Sequence, residues 1–468
     1  MRGGYTYSIG RTACQLQQYF GCLFNRPDVF KQDYVNERLV ALRQARSAKC
    51  SRGKKDGPLR ICLLTYRGNP TCGGQGIYIK YLSDALKNLG HSVDVLSGPP
   101  YPILADGIPL HTLHSLDLYN PDHLFKVAHI RDLASPVNLF EFLSMCAGGF
   151  PEPFTFGIRA RKYLSKSDKR YDIVHDNQSL SYGLLGIAKI GFPTVTTIHH
   201  PITVDRDTEI RAAGSFLARM KVRRWYAFLA MQKRVSRRLS HIITVSHNSK
   251  QDIGRAFRIS PERFRVVPNG INTDFFYPLK DVRRARNRLL VTSSADTPMK
   301  GLRYLLEAVA SLRQEREIRV TVIGEAKRDG VIEQRVRELA LGDIVTFTGR
   351  IEQKDFARHY AETTMAVIPS LYEGFGMPAG EAMACGVPVI ATSGGALPEV
   401  VGDAGILVPP ADAQALGQAI VALLDDPQRR KRMAEAGLER VLNSLTWRHA
   451  AEKTVCVYRE AIDAHRRL

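Results

Sequence analysis

Two glutamates separated by seven residues, Glu373 and Glu381, flank a glycine-bearing turn in SLYEGFGMPAGEAMACGVPVIATSGGALPEVVGDAGILVPP, residues 370–410. An apolar strand ends at Ser370, the turn holds Gly374 and Gly376, and Pro378 stands in the first turn of the next helix, where proline is favoured. Glycines there let the backbone approach a ligand, and a helix N-terminus offers N–H groups and partial positive charge to an anion. The two carboxylates are acceptors suited to hydroxyls, such as those of a sugar and a ribose. Either glutamate alone reads as a surface residue. With GVPVIATSGGALPEV in the next strand–helix unit, the whole string reads as a site for an anionic ligand that also carries hydroxyls.

The elements that must hold this site alternate along the chain. From Leu59, RICLLTY reads as a strand, GNPTCGGQG as a glycine-rich turn, IYIKYLSDALKNLGH as an amphipathic helix and SVDVLSG as a second strand. Further strands are expected at 172–175, 194–199, 241–246 and 265–269, while 103–170 shows no regular pattern. A second series begins after Pro278, with strands at 289–294, 318–324, 344–349, 365–370, 388–393 and 405–409. Apolar strands alternating with helices predict parallel sheets covered on both faces. The expected divisions are a basic extension over 1–58, domains over 59–278 and 279–445, and a C-terminal helix over 446–468 crossing back to the first domain. Open sheets of this kind bind ligands at the carboxyl ends of their strands, and two of them place the site in the cleft between.

The 468 residues carry a formal charge of +20, which draws polyanions to the surface without saying which. Eight cysteines without a C-x-x-C pair argue against a zinc site or a disulfide framework. No apolar run is long enough to span a bilayer, and the first residues make a poor signal peptide, so a cytoplasmic protein is expected.

The segment around Glu373 and Glu381 resembles the retaining glycosyltransferases of family 4, the group 1 glycosyltransferases, whose hallmark is E-x7-E. The resemblance runs from about Leu59 to the C-terminus and is most specific over 289–410. It implies an α/β protein of two Rossmann-like, doubly wound parallel-sheet domains facing a cleft, the GT-B type. It implies that Glu373 contacts the donor sugar, that Glu381 binds the ribose, and that the amides of Phe375, Gly376 and Met377 face sugar and phosphates. Glu399 is expected to buttress the same site. In SSADTPMKGL the resemblance puts Lys300 on the donor diphosphate, while the family's arginine is replaced by Ser294 or Ala295. Gly73 and Gly74 match a Gly-Gly near the donor phosphate and acceptor. His199, ahead of His200, matches a histidine facing the reaction centre, and His175 and Asp176 are weaker acceptor-site candidates.

The implied reaction moves a sugar from a nucleotide diphosphate sugar to an acceptor hydroxyl with retention, without metal or cofactor. The acceptor is expected to be a glycan or glycolipid. A same-fold epimerase, a basic nucleic-acid-binding protein and a non-catalytic scaffold are the rival readings. No nucleic-acid module is recognisable, so no nucleic-acid partner is expected. RAAGSFLARMKVRRWYAFLAMQKRVSRR (211–238) reads as a basic helix whose charges interleave with Phe216, Trp225 and Phe228. It suits either a solvated face or the anionic inner face of the cell membrane.

Overall fold

A computed structural model describes residues 57–69, 74–120, 131–168, 170–279, 281–293, 297–349 and 351–467. The described chain divides into two compact units, Pro58–Pro268 with Ala450 onward, and Asn269–His449.

In the first unit seven strands form one parallel sheet: β1 Arg60–Thr65, β2 Ser92–Ser97, β3 Leu110–Thr112, β4 Ile173–Asn177, β5 Thr194–Ile198, β6 Ile242–Thr244 and β7 Phe264–Val266. Their order is β3-β2-β1-β4-β5-β6-β7, so the direction of winding reverses between β1 and β4. Ile61 pairs with Val93 on one side and Ile173 on the other. The inner strands are apolar runs because helices cover both faces. Cys62, Leu64, Leu96 and Val174 pack on Phe156, Ala160 and Leu164 of one covering helix. Leu180, Ile198, Val235, Ile242 and Phe257 form a second cluster.

The second unit holds a six-stranded parallel sheet: β8 Arg288–Thr292, β9 Arg319–Ile323, β10 Val345–Phe347, β11 Met365–Ile368, β12 Val389–Thr392 and β13 Ile406–Val408. Its order is β10-β9-β8-β11-β12-β13, with the reversal between β8 and β11. Leu289, Val291, Val320, Val367 and Ile390 bury against Leu305, Val309, Leu416 and Ile420 of two helices. Each such side chain contributes on the order of 1.5–3 kcal/mol by leaving water. Both sheets are thus doubly wound, and each has one point where strand order reverses.

The units divide at 268/269, with Ile271, which pairs with Thr446, in the second. Two expectations need correction. The segment 103–170 is not featureless: it supplies β3 and the helices Pro136–Cys146 and Glu152–Lys166. The first of these helices defeats pattern reading because its buried residue is Glu141, paired with Arg159 at 2.8 Å, while Leu139, Phe140 and Leu143 are exposed. The basic stretch 211–238 is not one helix. It breaks into Thr203–Ala212, Phe216–Trp225, a short 3-10 turn and Leu229–Ser236.

Candidate active site

On the second sheet the loops after β8 and β11 leave from either side of the reversal point. Lys300 ends a 3-10 turn, Pro298–Lys300, and Gly301 follows with φ of 65°. A Cβ on Gly301 would lie 2.0 Å from the Pro369 carbonyl oxygen, so only glycine lets the two loops touch. Leu371 N donates to Met299 O at 2.8 Å, and Ala396 N to Glu373 O at 2.8 Å, stitching the loops after β8, β11 and β12 together. Lys300 Nζ donates to Glu373 Oε1 at 2.7 Å, and Ser370 Oγ donates to the same oxygen at 2.7 Å.

Gly376, with φ of 100°, caps the helix Met377–Ala384, and Phe375 is buried beside it. Glu381 lies in that helix with its carboxyl pushed by desolvation up to about 7, opposed by the nearby Lys300 charge and a hydrogen bond from Tyr360. The Tyr360 oxygen also lies 3.4 Å from Pro378 O and 3.2 Å from Thr292 Oγ1 at the end of β8. The structure therefore brings Lys300, Glu373, Phe375, Gly376, Met377 and Glu381 to one place. Ser294 and Ala295 lie outside the described residues. Glu399 sits in the first turn of the helix Leu397–Val401, its backbone carbonyl held by Arg440. Sequence reading missed Thr292, Tyr360 and Ser370, whose types and spacing carry no signal of a site.

On the first sheet the reversal lies between β1 and β4. Gly74 opens the helix Gly74–Asn88 that follows the glycine-rich turn, with open space around its Cβ position. Gly73 lies outside the described residues. His199 follows β5, its Nε2 2.8 Å from Asn177 Oδ1 and its ring edge-on to Tyr78 at 4.6 Å. Burial, with His200 and His175 close by, pushes the His199 imidazole down to about 3, so it is neutral near neutrality. His200 instead pairs with Asp205 at 2.9 Å.

His175 departs from expectation. It is buried, its Nδ1 2.6 Å from the Tyr458 hydroxyl and its Nε2 2.7 Å from Thr197 Oγ1, and burial alone pushes its ring down to about 3. It sits two residues before the end of β4, within the sheet rather than in the loop beyond it. Asp176 is equally enclosed, accepting from Leu180 N, Thr196 Oγ1 and Ser179 Oγ. Asp176 thus holds the loop after β4, while His175 ties β4 to Thr197 of β5 and to Tyr458. Among the described residues no group of three His, Cys, Asp or Glu side chains is arranged to hold a metal ion.

Two parallel doubly wound sheets, each with polar side chains at its reversal point, are the setting in which the comparisons with known proteins become decisive. The family model described as Glycosyl transferases group 1 matches residues 279–440, and Glycosyltransferase Family 4 matches 72–275. The chain is 44% identical to the MMP alpha-(1->4)-mannosyltransferase of Mycolicibacterium hassiacum, over 86% of this chain and 98% of that one. The chain belongs to the group 1 glycosyltransferases. A D-inositol 3-phosphate glycosyltransferase of Kineococcus radiotolerans is 25% identical, over 86% of this chain and 95% of its own. Among solved structures, sucrose-phosphate synthase from Thermosynechococcus elongatus superposes with TM-score 0.65 at 26% identity, covering 87% of this chain and all of that one. Anabaena HepE, solved with UDP, shares the fold with TM-score 0.60 at 18% identity, covering 88% of this chain and 100% of its own. This glycosyltransferase thus has the GT-B fold of two parallel-sheet α/β domains. The epimerase, nucleic-acid and scaffold readings find no support in these relatives. Among the described residues no helix is long and apolar enough to cross a membrane.

Proposed function

We propose that the chain transfers a mannosyl group from a nucleotide diphosphate sugar to a hydroxyl of an α-linked glycan, with retention of configuration. The observation that carries this reading is Lys300 set between Glu373 and Glu381 at the reversal point of the second sheet, 2.7 Å from the first and lowering the carboxyl of the second. Similarity to a protein named as an α-(1→4)-mannosyltransferase supports the choice of sugar and linkage.

In this reading Glu381 accepts from the ribose hydroxyls and Glu373 from the sugar. Lys300 and the amides of Phe375, Gly376 and Met377 take the diphosphate, and no bound metal or cofactor is required. His199 takes part on the acceptor side, and Gly74 on the donor side. The acceptor oxygen bonds to the anomeric carbon as the bond from that carbon to the phosphate oxygen breaks, both on one face of the sugar. The hydroxyl proton passes to the leaving phosphate. The developing negative charge there is what Lys300 stabilises. Without the family's arginine, one charge-assisted contact is missing, commonly worth ~1.5–3 kcal/mol.

The enzyme works on the inner face of the cell membrane as a peripheral protein. Supporting this, Phe216 and Leu217 are 71% and 72% exposed beside Arg219, Lys221 and Arg223, a mixture of apolar and basic groups that suits anionic lipid.

The test is transfer from a panel of nucleotide sugars to α-(1→4)-mannan oligosaccharides, with the product linkage read by NMR and EDTA present in a parallel series. An α-linked mannosyl product, formed equally well with EDTA, is the expected outcome. An inverted linkage, transfer of another sugar alone, or complete loss with EDTA overturns the corresponding part of the reading.

A further inference from the structure

Asn177 ends β4, and its side-chain amide faces two elements at once. Its Nδ2 donates to the Gln75 carbonyl at 3.2 Å, in the first turn of the helix behind the glycine-rich loop. A carbonyl only accepts, so this bond fixes which end of the amide is nitrogen. The other end, Oδ1, then faces His199 Nε2 at 2.8 Å and must receive a proton from it. The imidazole is neutral, so if Nε2 carries the hydrogen, Nδ1 carries a lone pair.

The main chain beneath the ring is held as firmly. Gln178 is buried with φ of 57°, a left-handed conformation rare outside glycine. That conformation aims its side chain along the end of β5, where Oε1 accepts from His199 N at 2.8 Å and Nε2 donates to His200 O at 3.2 Å. Gln232 in turn donates to the carbonyls of Gln178 and Ser179, both at 3.2 Å. Strain in a loop at a sheet's reversal point, braced by buried amides, is the signature of a position held for function.

We propose that Asn177 is a positioning residue that fixes His199 as the Nε2–H tautomer, so that the Nδ1 lone pair is the atom offered to a substrate hydroxyl. The proposal rests on reading His199 as facing the acceptor side. The ring then accepts a hydrogen bond and donates none to substrate, and it carries no charge that would repel an incoming hydroxyl's developing positive character. Because the same amide holds the Gln75 carbonyl, the orientation of His199 is tied to the first turn of the helix Gly74–Asn88.

The full chain labelled with ¹⁵N-histidine tests this by imidazole ¹⁵N–¹H correlation at neutral pH. His199 is expected with a protonated Nε2 and a bare Nδ1. Asn177→Ala should give a mixture of tautomers and lower kcat by roughly tenfold, the scale of losing orientation at a reacting group, with a smaller change in KM for the nucleotide sugar. Asn177→Asp keeps the shape and the acceptor for Nε2–H but cannot donate to Gln75; its carboxylate should raise the His199 pKa visibly. It serves as the variant if the alanine chain does not fold. A wild-type Nδ1–H tautomer overturns the proposal, as does Asn177→Ala with both tautomer and kcat unchanged. If wild-type protein shows the expected tautomer yet transfers no sugar to any acceptor, the tautomer assignment stands and the reading of His199 as substrate-facing falls.

Discussion

Lys300 Nζ stands 2.7 Å from Glu373 Oε1, so the cation proposed for the donor diphosphate is already neutralised by the carboxylate proposed for the donor sugar. Both side chains are largely enclosed. A diphosphate entering the site must therefore share or displace this pair, and Ser370 Oγ, 2.7 Å from the same oxygen, is placed to keep Glu373 hydrogen-bonded as it does. Lys300→Met should lower kcat by at least roughly tenfold through lost charge stabilisation of the leaving group. Steady-state rates at saturating nucleotide sugar check this. A near-wild-type rate would assign the role to another cation.

Glu381 gives the site a pH dependence of definite sign. Its carboxyl is raised by desolvation from the ordinary 4.5 to about 7, and hydroxyl donors favour the ionised form. Affinity for a nucleotide sugar should therefore rise as pH increases through about 7, and Glu381→Gln should flatten the profile. Tyr360 donates a hydrogen bond that lowers this carboxyl, so Tyr360→Phe should move the midpoint upward. The same shift acts on stability. Between 4.5 and about 7 the folded chain keeps a proton that the unfolded chain has released, so the Glu381 contribution to stability falls as pH rises across that window. Calorimetric titration of a nucleotide sugar across this range, with both variants, measures the binding side.

Gly301 is where the lysine turn meets the backbone of the loop after β11. Its φ of 65° is one obstacle to any other residue, and the Pro369 carbonyl oxygen 2.0 Å from the Cβ position is a larger one, because backbone cannot rotate away as a side chain can. Gly301→Ala should push the loop after β8 off the loop after β11, breaking the Leu371 N to Met299 O bond and moving Lys300 from Glu373. The expected result is a folded protein destabilised by about 1–3 kcal/mol, with donor affinity reduced in step. Thermal unfolding with and without nucleotide diphosphate separates the two effects. Unchanged affinity would mean that the lysine loop is not part of the donor site.

The sequence made the strands and the Glu373–Glu381 segment readable for a plain physical reason. Buried parallel strands are continuous apolar runs, and a loop that must approach a ligand needs glycine, as at Gly376 and Gly301. What escaped was polar and internal. His175 reads as an acceptor-site candidate because DIVHDN is polar at its end, yet its two nitrogens bond Tyr458 and Thr197. Tyr458 is 283 residues away, a separation no local pattern spans. Asn177 and Gln178 were passed over for the same reason, since their importance lies in bonds to Gln75, His199 and His200. The helix Pro136–Cys146 reverses the usual rule by burying a paired glutamate and exposing its apolar residues, so periodicity pointed nowhere.

The basic segment divides its aromatic and charged groups among separate elements. Trp225 and Phe228 face inward, their ring centroids 5.1 and 5.5 Å from Phe150, and cannot act as anchors without unpacking. Phe216, Leu217 and Met220 remain exposed on the helix Phe216–Trp225, with Arg219, Lys221 and Arg223 among them. Arg224 is committed, donating to Ala147 O at 3.3 Å at the end of the helix that exposes Leu139, Phe140 and Leu143. That bond joins the C-terminal ends of the two helices. Each basic residue at an anionic surface contributes about 1 kcal/mol, screened by salt, and each exposed apolar side chain adds its own transfer energy. Wild-type protein should pellet with phosphatidylserine-containing vesicles and release as salt is raised. Phe216→Ser with Leu217→Ser should weaken binding even at low salt, whereas Arg219→Glu with Lys221→Glu and Arg223→Glu should abolish it at physiological salt while leaving transfer to a soluble acceptor intact. Vesicle binding that survives both variants would remove this helix as the anchor, and wild-type protein that ignores vesicles would leave the exposed apolar groups without a lipid partner.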